Sequence, residues 1–179
     1  MDDHASLIHQ AVQDHLDGRL DAAESKYRLA LSQGRTAEAT YLLGLVLMQK
    51  GDAGEAARLL AEAAAADPER PDYHICLGDA LLASGRIDGA IAAYAEACYR
   101  APHEPDPHLA LGRLLVQAEM HEEGTRILQT ALEIAEQRAA AGAVNEAASL
   151  AHQVADAGPT LIVVQRAAAA LLARLDGAR

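Results

Sequence analysis

A repeat of 34 residues is the feature that most constrains what this chain can fold into. Blocks that begin at residues 37, 71 and 105 align along most of their length. The first two blocks share Leu43-Gly44 and Leu77-Gly78, Gly51 and Gly85, Ala56 and Ala90, Ala63 and Ala97, and Pro68 and Pro102. The third keeps Leu111-Gly112, Leu115, Leu128 and Ala131, with Gly124 in place of the alanine. Self-similarity at such a period predicts stacked supersecondary units, each of which buries its apolar face against the next.

Each block reads as two helices separated by a tight turn. In the central block, Pro71 can open a helix without losing a hydrogen bond, and Gly85 can take the left-handed conformation that ends one. Asp88 then starts a second helix as a cap or first-turn acid, and Pro102 stops it. This order of helix-starting and helix-ending residues therefore predicts a helical hairpin for every block.

Glycine recurs inside the first helix of each block, at Gly44, Gly78 and Gly112. A glycine in a helix costs about 0.5–1 kcal/mol relative to alanine, so something must offset that cost. Close approach of the second helix is the simplest explanation, with Ala56 and Ala90 as the small residues opposite the glycines.

Residues 4–36 form a shorter and more divergent copy, as terminal repeats often do. It keeps Gly18, Tyr27 and Ala30 but has Ala11 where the other blocks have glycine. The tyrosines Tyr27 and Tyr94 are predicted to pack in the core.

The carboxyl-terminal part leaves the repeat pattern. The last repeat helix is expected to run to the Ala139–Gly142 region, and a further helix is predicted from Val144 to about Ala157. Gly158-Pro159 breaks the chain, and Thr160 to Leu175 reads as a final helix with a broad apolar surface. That surface can cap the last repeat, form a dimer interface through residues 160–175, fold back into the protein's own groove, or dock on a larger partner.

The repeated residues resemble those of the tetratricopeptide repeat family. The match covers residues 4–138, although Thr40, His74 and His108 stand where the family motif has a bulky aromatic residue. The resemblance implies an all-α fold, a right-handed solenoid of antiparallel helix hairpins, to which the tail of the sequence adds two extra C-terminal helices. We expect a repeat domain over residues 1–138, with about four hairpins at 4–36, 37–70, 71–104 and 105–138, and a helical extension or cap over 139–179.

In this family the first helices of successive repeats line a concave surface that binds peptides. Carried over by position, that surface comprises Ala5, Ile8, Val12 and His15; Glu38, Tyr41, Leu45 and Met48; Asp72, Ile75, Asp79 and Leu82; and Asp106, Leu109, Arg113 and Val116. The peptide-binding candidates among them are Ile8, Val12, Tyr41, Leu45, Met48, Ile75, Asp79, Leu82, Leu109, Arg113 and Val116. Family members that grip a carboxyl terminus use Lys and Asn at several of these places, and those residues are absent here. The positions favour an amphipathic helix or an extended apolar peptide, with Asp79 and Arg113 to set its orientation.

Composition and motifs argue against several other classes of function. The net charge of −11 is unsuited to a nucleic-acid partner or an anionic membrane. No apolar run approaches the roughly 18 residues of a membrane-spanning helix, and no signal peptide is visible at the amino terminus. No histidine or cysteine spacing is typical of a metal site, and no catalytic or cofactor-binding motif is present. We therefore expect a cytoplasmic protein without enzymatic activity, cofactor or metal.

The function that the sequence favours is a protein–protein interaction scaffold, adaptor or chaperone that binds a peptide segment in its concave groove. Two alternatives remain open. One is a structural module that forms homo-oligomers through its last helix. The other is a regulatory or substrate-presenting subunit of an enzyme system such as a glycosyltransferase.

Overall fold

The protein is built from antiparallel α-helical hairpins. The computed structural model describes residues 2–157 and 161–177, with side chains from residue 4 onward, and these residues form ten helices and no strand. The helices are α1 (Asp2–Leu16), α2 (Leu20–Gln33), α3 (Ala37–Lys50), α4 (Ala53–Ala66), α5 (Pro71–Ala83), α6 (Ile87–Arg100), α7 (Pro105–Gln117), α8 (His121–Ala140), α9 (Val144–Ala157) and α10 (Ile162–Asp176). Gly158, Pro159 and Thr160, the predicted break and the start of the last helix, lie outside the described residues.

The chain divides into two compact units, residues 1–100 and residues 101–179. In the first unit, α1 pairs with α2, α3 with α4 and α5 with α6, and successive hairpins also pack on one another. In the second unit, α7 pairs with α8, while α9 and α10 pack on each other and on α8. The all-α architecture of helix hairpins that the sequence predicts is confirmed.

The predicted turn residues end the helices as expected. Gly51 and Gly85 adopt left-handed backbone conformations, with φ of 86° and 76°. Asp52 caps α4 by accepting a hydrogen bond from the backbone N–H of Glu55. The corresponding turn between α7 and α8 places Glu119 at φ 62°, a conformation that costs a residue with a side chain more than it costs glycine.

Close helix packing at the repeated glycines is confirmed, but the residues opposite them differ from the prediction. A Cβ added at Gly44 would lie 2.7 Å from Leu60, and one at Gly78 would lie 2.6 Å from the ring of Tyr94. At Gly112 the same space holds Leu128. The glycines therefore accommodate a large side chain of the second helix, whereas Ala56 and Ala90 are buried but are not the nearest neighbours.

The two helices that follow the last repeat share a core with it. As predicted, α8 is longer than the other helices, and α9 buries Ala147, Leu150, Ala151 and Val154 on one side. From α10, Val164 and Leu171 enter the same cluster as Leu128 of α8. Ile162 and Val163 remain 62% and 60% exposed. The proposed domain boundary at residue 138 stays a prediction. In the structure, α9 and α10 complete the core that α7 and α8 begin.

Candidate functional site

The predicted binding residues of the first unit lie on its first helices, α1, α3 and α5. We call the surface that carries them the first-helix face; its predicted members are Ile8, Val12, Tyr41, Leu45, Met48, Ile75, Asp79 and Leu82. The spacing of three and four residues along each helix places these side chains on one side of it. Contacts join α1 to α3 and α3 to α5. The apolar members are partly buried and Asp79 is exposed, so the face offers apolar surface that is not sealed in the core.

Aromatic stacking fixes the junction between α3 and α5. The rings of Tyr41 and Tyr73 stack with centroids 4.5 Å apart and an interplanar angle of 25°. The Tyr41 hydroxyl lies 3.4 Å from Sγ of Cys76, and the guanidinium of Arg70 lies 4.8 Å from the centre of the Tyr73 ring. Burial, followed by the contact with Cys76, raises the pKa of Tyr41 above its ordinary value. Tyr73 and Cys76 were not among the predicted site residues, although both are one helical turn or less from Ile75.

Tyr94 of α6 contacts Asp79 of the neighbouring first helix, α5. The Tyr94 hydroxyl donates a 2.5 Å hydrogen bond to Oδ1 of Asp79, and the ring passes over Gly78 on the way. Tyr94 is buried, which confirms its predicted place in the core, but it also positions a carboxylate on the first-helix face. The sequence contains the signal for this pair, because Asp79 follows the glycine that accommodates the ring.

Tyr27 is the counterpart of Tyr94 in the first hairpin and lacks such an acceptor. It is fully buried, and within the described part of the chain its hydroxyl has no hydrogen-bond partner. Val12 occupies the position that corresponds to Asp79, so the carboxylate is missing. Burial and then the charge of Glu38 raise the pKa of Tyr27 to about 12.

In the second unit the three predicted residues have different environments. Leu109 is 6% exposed and belongs to the core cluster, because α9 packs on α7, so it is not an accessible surface residue. Arg113 is exposed and Val116 is partly buried. Both line a cavity of about 480 Å³ whose other walls are Gln117, Glu119, His121, Asp156 and Ala157.

The opposite side of the first unit carries ion pairs between successive hairpins. Arg28 of α2 contacts Glu55 of α4 at 2.9 Å, and Arg35 contacts Glu62 at 2.5 Å. These arginines, together with Arg58, line a cavity of about 230 Å³ that also includes Leu31, Ser32, Leu43 and Leu59. These pairs were not predicted from the sequence, and each joins residues 27 positions apart.

Among the described residues no cluster of three or more His, Cys, Asp or Glu side chains could hold a metal ion. None of the helices that the structure describes is long and apolar enough to span a bilayer.

Comparison with known families identifies the repeats. Family profiles described as tetratricopeptide repeat match residues 17–71, 41–105 and 81–143. The chain belongs to the tetratricopeptide repeat family.

Solved tetratricopeptide-type structures share its fold. MamA from Desulfovibrio magneticus RS-1 superposes with a TM-score of 0.72 at 21% identity, over 76% of this chain and 77% of that one. MamA AMB-1 gives a TM-score of 0.69 at 27% identity, over 75% and 74%. A thermophilic TPR protein of Thermus thermophilus gives 0.59 at 20% identity, over 94% and 98%. The predicted fold class, an all-α solenoid of tetratricopeptide-like hairpins, is confirmed.

Among curated proteins, this tetratricopeptide chain is similar to part of a much longer one. Cellulose synthase 1 operon protein C of Komagataeibacter xylinus is 44% identical over 72 residues, which is 39% of this chain and 5% of that protein. The corresponding protein of Komagataeibacter sucrofermentans is 43% identical over 72 residues. The chain thus matches only a small fraction of the length of these relatives.

Proposed function

We propose that this tetratricopeptide repeat protein is a non-catalytic scaffold or adaptor that binds a peptide segment of another protein on its first-helix face. The repeat fold supports a role in protein–protein interaction, since such solenoids present extended surfaces to other polypeptides. The observation that carries the proposal is the row of partly buried apolar side chains on α1, α3 and α5. Chaperone activity and a cytoplasmic location stay predictions of the sequence.

The apolar row is suited to recognition because its side chains are partly held between helices and still expose apolar surface. Leu45 and Leu82 are partly buried between helices, so a bound segment would cover what remains exposed. Burial of apolar surface contributes about 25 cal/mol per Å², so a few leucines and isoleucines supply a useful share of binding free energy. The Tyr41–Tyr73 stack fixes two side chains in the middle of the face before binding, which limits the conformational entropy that they lose when a segment binds.

The test is a double substitution on the face, Leu45→Glu with Leu82→Glu, in the full chain. Proteins captured from the native cell by wild type and variant are compared by mass spectrometry, and helicity and melting are followed by circular dichroism. We expect near-wild-type folding, because both positions are partly exposed, and loss of the proteins that wild type retains, because an apolar segment would bury two carboxylates on binding.

A matched control introduces the same change elsewhere. Leu29 of α2 and Ile87 of α6 are 49% and 38% exposed and lie on second helices, so Leu29→Glu with Ile87→Glu adds equal charge away from the first-helix face. Capture should survive in this variant. Equal loss in both variants, or unaltered capture by Leu45→Glu with Leu82→Glu, would contradict the proposal.

A second candidate function is a substrate-presenting or regulatory region of an enzyme system that builds polysaccharide. The observation that favours it is the 44% identity to cellulose synthase 1 operon protein C over 72 residues. Its first test is whether the chain copurifies with a glycosyltransferase encoded by an adjoining reading frame. The rates of polysaccharide synthesis by that enzyme are then compared with and without the chain. A rate that is unaffected by the chain would exclude this function.

A third candidate is a homo-oligomeric module that associates through α10, favoured by the exposure of Ile162 and Val163. Deletion of α10 would be a poor test, because Val164 and Leu171 belong to the core. Ile162→Asp with Val163→Asp leaves that core intact. Light scattering should show a dimer that becomes monomeric in the variant, and a monomeric wild type would rule this candidate out.

A further inference from the structure

The first unit distributes its charges unevenly between its two sides. Most of its Lys and Arg side chains form ion pairs with neighbouring Asp and Glu side chains, within a hairpin or between successive hairpins. The residues concerned are Arg19, Lys26, Arg28, Arg35, Lys50, Arg58, Arg70 and Arg100. The cavity lined by Arg28, Arg35 and Arg58 is accordingly a neutralised site, because each of these arginines contacts Glu55 or Glu62.

Two carboxylates of the first helices are not neutralised in the same way: Asp79, a member of the first-helix face, and Glu38, three residues before Tyr41 on α3. Glu38 is exposed and, within the described part of the chain, forms no ion pair or side-chain hydrogen bond. Asp79 is exposed too, and its hydrogen bond comes from the neutral hydroxyl of Tyr94, which leaves its charge uncompensated. Asp72 does pair with Arg70, at 2.7 Å.

The negative charge of this face acts on the groups buried beside it. Burial makes the largest contribution to raising the pKa of Cys76, the hydrogen bond with Tyr41 opposes it, and the charges of Asp79 and Asp72 raise it further. Burial also makes the largest contribution to raising the pKa of Tyr73, followed by the opposing effect of Arg70 and then by the raising effects of Asp72 and Glu38. Two carboxylates beside the apolar row, Asp79 and Glu38, therefore remain without an ion pair within the described part of the chain.

We propose that the segment bound by the first-helix face is amphipathic and basic, with apolar side chains along the row and Lys or Arg side chains opposite Asp79 and Glu38. This inference rests on the proposed function and adds the charge of the partner. An acidic segment would place like charges together, whereas a basic one supplies the cations that the face lacks. Asp79 is the better anchor, because its hydrogen bond from Tyr94 holds the carboxylate in place before binding.

The probes are two synthetic fluorescent helical peptides of identical apolar pattern, one with Lys and one with Glu at every polar position. Binding to the full chain is followed by fluorescence anisotropy in low and in moderate salt. We expect the Lys peptide to bind more tightly, and the substitutions Glu38→Gln and Asp79→Asn together to weaken it about threefold to tenfold, as two partly exposed ion pairs would. Added salt should also weaken binding of the Lys peptide.

A matched variant separates the local effect from the net charge of the chain. Asp88→Asn with Glu133→Gln removes the same charge from exposed positions outside the face, and its affinity should remain that of wild type. Equal affinity for the Lys and Glu peptides, both abolished by Leu45→Glu, would overturn the basic partner but keep the proposed function. Absence of binding by either peptide would contradict both. Equal weakening by the matched variant would show attraction to net charge alone and would overturn the charge assignment.

Discussion

At the scale of single residues, the contact between a glycine in one helix and a large side chain in the next sets how close the helices of a hairpin can lie. Leu60, Tyr94 and Leu128 fill this position over Gly44, Gly78 and Gly112. In the central hairpin the same contact places the Tyr94 hydroxyl within hydrogen-bond distance of Asp79. Tyr94 therefore contributes both to the core and to the first-helix face.

Replacement of Gly78 by leucine should therefore lower the free energy of unfolding by more than about 1 kcal/mol, because the added side chain overpacks the interface. Even its Cβ would lie 2.6 Å from the Tyr94 ring, and no Cβ tolerates that distance. Urea unfolding measures the effect. Gly54 in α4 has open space around a Cβ, so Gly54→Ala should keep or slightly raise stability; an unchanged midpoint for Gly78→Leu would contradict the packing.

Tyr27 of α2 and Tyr94 of α6, both buried, give predictions of opposite sign. Tyr27→Phe should leave stability unchanged or raise it by about 1 kcal/mol, because a buried hydroxyl without a partner is removed. Tyr94→Phe should lower stability by about 1 kcal/mol, since it deletes a hydrogen bond to a carboxylate. Thermal melts of both variants decide the matter, and shifts of the same sign would refute the contrast between the two sites.

The sequence predicts the buried place of these residues but not their partners. The repeat identifies Tyr27 and Tyr94 as equivalent core positions, and both are buried. Whether a hydroxyl finds an acceptor depends on the neighbouring helix, where Asp79 and Val12 occupy corresponding positions. The sequence favours alanines opposite the glycines, while the structure places Leu60 and Tyr94 there, because periodicity identifies a buried side without specifying which atoms meet.

At the scale of helices, a cluster of charges holds the first hairpin together. Asp14 of α1 is 5% exposed and contacts Lys26 of α2 at 2.6 Å and Arg19 of the turn at 2.7 Å. Hydrogen bonds from Lys26 and then from Arg19 hold the pKa of Asp14 below its ordinary value. The carboxylate therefore joins α1, the turn and α2.

This lowered pKa predicts how stability depends on pH. A carboxyl group whose pKa is lower in the folded state contributes stability above its unfolded pKa, about 3.9, and loses it as pH falls through the folded value. Asp14→Asn should lower the melting temperature at pH 7, and the difference from wild type should shrink below about pH 4. Melting curves from about pH 3 to 7 test this, and a difference that is constant over that range would exclude the ion pairs as its cause.

Helix bounds were the most predictable feature at this scale, because proline and glycine punctuate the repeats. α5 and α7 begin at the predicted Pro71 and Pro105, and Gly51 and Gly85 take the expected turn conformation. The final helix was less predictable. Its broad apolar surface does not reveal which residues meet α8 and α9, and the structure buries Val164 while leaving Val163 exposed.

At the scale of the whole molecule, the chain combines repeat hairpins in both of its compact units with a carboxyl-terminal helix pair in the second. The repeat length and the Leu-Gly motif predict the hairpins, since local punctuation and periodicity specify them. The surface available to a partner depends on tertiary packing. Leu109 has the position of a binding residue in its repeat, yet α9 covers it and places it in the core.

The central claim, that α1, α3 and α5 bind a polypeptide segment through their shared face, is tested most directly by methyl NMR of the full chain. The basic amphipathic peptide described above is titrated into protein labelled at Ile, Leu, Val and Met methyl groups. Saturable shifts should map to the first-helix face, with Leu45, Ile75 and Leu82 most affected. Saturable binding with shifts confined to Leu31 and Leu59, which line the cavity on the opposite side, would contradict the claim.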